Sequence, residues 1–150
     1  MSPQEDLSDP PEVSELVKHL VDLGMQVGRD IRGGMGGAEI LLHEGGPEKN
    51  PSAEVRILGE RRHWTVGLKF YGMAEFRTPD EWKALIFGGP VELSSLRDQT
   101  RFIQDNLELA RKTCVARPDA ERAMAAAGIA AVKREYPSLA QLIERDSSID

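Results

Sequence analysis

One cysteine, Cys114, stands in 150 residues. A lone thiol cannot close an internal disulfide, so no disulfide framework is expected, and a reducing compartment fits. Long apolar runs are lacking too, and none approaches the roughly 18 residues of a membrane span. The chain does not open on a basic segment followed by an apolar run, so no signal peptide is expected. A cytoplasmic protein without a membrane partner is the expectation. Arginine outnumbers lysine 13 to 6, a codon signature of GC-rich bacterial genomes.

Catalytic signatures are scarce. His19, His43 and His63 never fall at metal-binding spacing with another His or Cys, so neither metal nor cofactor is expected. No Gly-x-Ser-x-Gly elbow and no Gly-Lys-Ser/Thr triplet occurs. The carboxylate pair Asp80–Glu81 is accounted for by a helix start, where acids face free amides. Cys114 is expected near a helix C-terminus, where the dipole disfavours a thiolate.

Basic charge is in the minority. The net charge is −6, with seven acids against two bases in residues 1–30, three acids against one base in 139–150, and a nearly neutral body. An acidic chain repels phosphate backbones, so general nucleic-acid binding is disfavoured. The local exception is the basic turn Arg61-Arg62 beside Trp64. Arg56, Lys69 and Arg77 are candidates for the same solvent face, with Tyr71 as its outward aromatic. A single-strand binder using this hairpin is one alternative reading.

What the sequence does carry is pattern. Asp9-Pro10-Pro11-Glu12 reads as a helix start, and Val13, Leu16, Val17 and Leu20 follow at helical spacing up to Gly24. Five glycines between Gly28 and Gly37 exclude a helix, and a loop is expected there. This loop reads either as a flexible turn or as a phosphate cradle with Arg29 and Arg32. An enzymatic or small-molecule pocket beside it is the other alternative reading. Residues 38–43 read as a strand.

Ala53, Val55 and Ile57 alternate with Glu54, Arg56 and Leu58, and Trp64, Val66, Leu68 and Phe70 alternate after a short turn. Period-two alternation predicts an antiparallel hairpin with one dry face. A further short strand is expected at 73–76. Thr78-Pro79-Asp80-Glu81 opens a short helix, Ser94 or Ser95 a longer one to Cys114, and a fourth runs over 119–135. Leu139, Leu142 and Ile143 suggest one more short helix, and residues 1–8 and 146–150 are expected to be loose. Strands in the middle and helices at both ends predict a single α+β domain. Its antiparallel sheet has three to four strands at about 38–76, covered on one face by the N-terminal helix and the C-terminal helices.

The order helix, three strands, helix over residues 10–87 resembles the start of the secretion-chaperone pattern, and the two long helices after residue 94 depart from it. The functional expectation is a non-enzymatic acidic module that grips another protein. A toxin held by an immunity protein and a secreted effector held by a chaperone are the partner classes, and a homodimer is also open. The contact residues expected are Trp82 and Phe87 as apolar anchors, with Glu12, Glu15 and Asp22 as acids. Arg61, Arg62 and Tyr71 complete the set.

Overall fold

A computed structural model describes residues 9–31, 37–45, 49–60 and 63–138. The expected loose ends, the short helix after residue 138 and the turn Arg61-Arg62 lie outside these residues. The described chain is α+β, with four helices and a four-stranded antiparallel sheet in the order β1-β2-β3-β4.

Helix α1 (Pro11–Asp22) buries Val13, Leu16 and Leu20, one stripe at helical spacing. The N-cap position falls on Pro10 and not on the expected Asp9. The Pro10 carbonyl accepts from the amides of Val13 and Ser14. Gly24, at φ +102°, ends the helix as expected. Its amide donates to Val21 O and the Met25 amide to Leu20 O, and Met25 drops into the core. These two bonds satisfy carbonyls that the helix end leaves free.

The first strand is a correction. The expected loop from Gly28 to Gly37 holds strand β1 (Gln26–Ile31), antiparallel to β2 (Ala38–His43). Every β1 side chain is exposed, so the strand owes its form to backbone pairing with β2 and not to burial. The register slips between Val27 and Arg29, a bulge at Gly28. A side chain on Gly28 would lie 2.9 Å from the His43 ring. Residues 32–36 of that loop lie outside the described residues.

Strands β3 (Ala53–Glu60) and β4 (His63–Phe70) form the expected hairpin, with Val55 opposite Leu68 and Ile57 opposite Val66. The dry face carries Ile40, Leu42, Ala53, Val55, Ile57, Val66, Leu68 and Phe70, all buried. Trp64, at the end of this face, is half-buried and lies across Gly59, where no side chain could fit beneath its ring.

The expected strand at 73–76 is absent among the described residues. That segment instead turns Phe76 over the wet face, into space that Gly67 leaves open; a Gly67 Cβ would sit 2.8 Å from Phe76 Cβ. The Arg56 guanidinium lies 4.5 Å from the ring centroid and Lys69 Nζ 5.2 Å. Arg77 then bridges to the β4 edge, exchanging backbone hydrogen bonds with Leu68.

Helix α2 (Pro79–Phe87) opens on a reciprocal cap: the Glu81 amide donates to Thr78 Oγ1, and Thr78 N donates to Glu81 Oε1 at 2.9 Å. Trp82 is fully buried, donates from Nε1 to Leu68 O at 3.0 Å, and meets Phe70 edge to face at 5.5 Å. Helix α3 (Leu96–Ala116) is capped by Ser95 and buries Phe102, Ile103, Leu107 and Ala110. It bends at Asn106, whose side chain donates back to Phe102 O. Helix α4 (Ala120–Glu135) buries Ala120 and Met124 and passes α2 at Gly128, where a Cβ would stand 3.1 Å from Glu81 Oε2.

Candidate functional site

The connection between α2 and α3 is built by short-range chemistry. Gly88 and Gly89 both take positive φ, which side-chain-bearing residues rarely adopt, and they turn the chain sharply away from α2. Asp80, buried in the first turn of α2, accepts from both the hydroxyl and the amide of Ser94. Gln99 donates to Ser94 O, and Arg134 of α4 donates to Val91 O at 3.1 Å. Each end of the segment is therefore tied down. Phe87, the last residue of α2, is 60% exposed, and Leu93 within the connection is 92% exposed. A cavity of about 440 Å³ is lined by Leu93 together with Asp80, Lys83, Glu92, Ser95 and Asp98.

Expected contact residues fare differently. Trp82 is the clear correction: it is spent inside the core and offers nothing to a partner. Phe87, five residues on, faces outward. Glu15 and Asp22 are exposed on α1, whereas Glu12 is mostly covered and lies 3.6 Å from Arg97 of α3. Tyr71, just past β4, is 81% exposed. Arg61 and Arg62 lie outside the described residues. Arg77 does not join Arg56 and Lys69 on the wet face; it pairs with Glu75 and Glu81, each at 3.2 Å.

A second cavity, about 530 Å³, lies between Arg77 and the first turn of α4 at Pro118, Asp119, Glu121 and Arg122. Its polar groups are largely occupied by the fold. The Glu121 carboxylate accepts from the amides of Ala74 and Glu75, and Asp119 pairs with Arg117 at 2.9 Å, which holds the Asp119 carboxyl below the usual carboxylate range. Neither cavity is lined by residues of the glycine-rich segment.

Compared with protein-family models, curated proteins and solved structures, the chain matches none. The functional reading therefore rests on geometry.

Among the described residues, no group of three or more His, Cys, Asp or Glu side chains lies close enough to hold a metal ion. The Cys114 thiol is half-buried, and burial pushes its pKa up, with Glu121 adding to the effect. That is the wrong direction for a nucleophile.

Sequence reading missed Arg111. It is buried under the sheet end with Glu44, at 8% and 7% side-chain exposure. Its Nη atoms donate to the two Glu44 oxygens at 2.7 Å, its Nε and Nη2 to Glu108, and Nη1 also to Pro51 O. All five guanidinium N–H groups are spent, so this is a positioning residue with no donor left for a ligand. One signal was available: Arg111 interrupts the apolar stripe of α3, four residues after Leu107.

Proposed function

We propose that the chain is a non-catalytic module that binds another protein, with Phe87 and Leu93 as its anchors. The observation that carries this is their exposure at the end of α2 and on the connection that follows it, whose backbone is tied at both ends. A large apolar side chain carried on a backbone that is fixed before binding needs less chain ordering on association, so more of its burial appears as affinity. Large apolar groups rimmed by charge are the usual mark of a protein contact. Lys83, Glu92 and Asp98 supply that rim.

The partner is expected to present a basic surface. Glu15 and Asp22 of α1 are free to face it, and the ion pair between Glu12 and Arg97 sets the start of α1 against the first turn of α3, next to Asp98. A toxin or a secreted effector is the partner class this reading favours.

The test is site-specific photo-crosslinking in cells, with the crosslinker placed at 87, 93 and, as control, exposed position 112. The expected result is one discrete adduct from 87 and 93 and none from 112. A Phe87→Ser/Leu93→Ser variant should keep its unfolding free energy within about 1 kcal/mol and lose the partner. Undiminished capture by that folded variant overturns the proposal.

A further inference from the structure

We infer that the cavity lined by Leu93 takes one arginine side chain of the bound protein, its guanidinium held by Asp80, Glu92 and Asp98; this rests on the docking function proposed above. The cavity measures about 440 Å³. That lies within the range of pockets that enclose small ligands, roughly 300–1,000 Å³, and one long side chain fits inside it. Among the described residues its lining sets three carboxylates against one cation. The carboxylates are Asp80 on α2, Glu92 on the connection and Asp98 on α3, and the cation is Lys83.

Asp80 decides the sign of the occupant. It is 6% exposed, and carboxylates are seldom buried this far unless they are paired. Its neighbour Glu81 follows that rule and meets Arg77 at 3.2 Å. Asp80 meets the neutral hydroxyl and amide of Ser94, and no cation among the described residues. Each Asp80 oxygen thus accepts one hydrogen bond and can accept a second. Free amides in the first turn of α2 favour this carboxylate, but they do not neutralise Glu92 and Asp98. Those two are exposed, and neither carboxylate is paired among the described residues. Lys83, three residues after Asp80, is exposed and forms no ion pair with it.

Three carboxylates on three segments suit a cation with several donors. A guanidinium carries five N–H groups in one plane, whereas an ammonium carries three on a single atom. The guanidinium is also the more weakly hydrated of the two, so it gives up water at lower cost. Its carbon stem would lie along Leu93, the large apolar part of the lining.

The test titrates the full chain with the capped tripeptide Leu-Arg-Leu and reads backbone amide shifts by NMR. The comparison peptides are Leu-Lys-Leu and Leu-citrulline-Leu, in which a neutral urea replaces the guanidinium. The arginine peptide should shift the amides of Leu93, Ser94, Ser95 and Asp98. It should bind roughly tenfold tighter than the citrulline peptide, with the lysine peptide between them. Glu92→Gln/Asp98→Asn should abolish that preference with the native spectrum otherwise preserved. Lys83→Ala removes the competing cation and should strengthen arginine binding severalfold. Equal binding of the arginine and citrulline peptides, shifts confined to other parts of the chain, or weaker arginine binding after Lys83→Ala overturns the inference. The crosslinks from 87 and 93 read the docking function separately. Adducts that persist while the arginine preference is absent overturn the arginine alone; absent adducts overturn the docking function whatever the peptides do.

Discussion

Arg111 and Glu44 stand 67 residues apart in the chain and meet fork to fork, each Nη donating to a separate carboxylate oxygen at 2.7 Å. Glu44 Oε1 also accepts from the Ala53 amide, and the Arg111 guanidinium carbon lies 5.5 Å from the Phe70 ring centroid. One buried ion pair thus joins α3, the β2–β3 connection and the edge of the dry face.

Arg111→Ala should therefore be severe. It leaves a buried carboxylate without its counter-charge, a loss of about 3–5 kcal/mol. Arg111→Lys keeps the charge but not the planar fork, and should fall between the two. Urea unfolding of the three proteins measures this, and a loss under about 1 kcal/mol for Arg111→Ala would refute the assigned role.

Gly128 tests the approach of α2 and α4. Alanine at an exposed helical position normally gains about 1 kcal/mol over glycine. Here the new methyl would press on Glu81, whose carboxylate is held by Thr78 and Arg77. Gly128→Ala should show no gain in the native protein. In a Glu81→Ala background, with the obstacle removed, it should recover most of that gain, and the double-mutant cycle reads the difference.

Acid should weaken the α3 anchor. Hydrogen bonding to Arg111 holds the Glu108 carboxyl below its ordinary pKa, and Lys49 at 3.6 Å adds to this. A carboxyl lowered by folding stabilises the fold above the ordinary carboxylate range and loses that contribution as pH falls through the lowered value. Thermal unfolding of Glu108→Gln should therefore depend less on pH than the native protein between about pH 5 and pH 2. The native and variant curves should converge at the acid end. Parallel curves would show that Glu108 is not part of the acid response.

Cys114 should be slow to alkylate. Burial raises its pKa and removes thiolate at neutral pH. Mass spectrometry after iodoacetamide treatment should show little modification in the native state and full modification in urea. Reaction as fast as a free thiol under native conditions would contradict the burial seen for this residue.

The β3–β4 hairpin and the helices were legible because burial itself writes their period. Val55, Ile57, Val66 and Leu68 alternate since one sheet face is dry, and Leu16 and Leu20 repeat since one stripe of α1 is. Strand β1 was not legible for the converse reason: with no residue buried, Gln26 to Ile31 carries no period, and only pairing with β2 makes it a strand. Trp82 reads as a contact residue because four bulky groups crowd a two-turn helix. The core takes Trp82, half-buries Leu85 and Ile86, and leaves Phe87 outside. The expected strand at 73–76 fails because Phe76 folds back over the wet face, onto the seat that Gly67 leaves for its ring. The Arg111–Glu44 pair has no local signature, its partners being far apart in the chain.

The bend at Asn106 divides the work of α3. Ahead of it, the helix is tied to its helical neighbours, through Arg97 to α1 and through the Ser94 junction to α2. Beyond it, Arg111 fastens the helix to the strands. A rod jointed in this way does not loosen as one piece. Amides on the two sides of Asn106 should open to solvent with separate free energies, each following the layer to which that arm belongs.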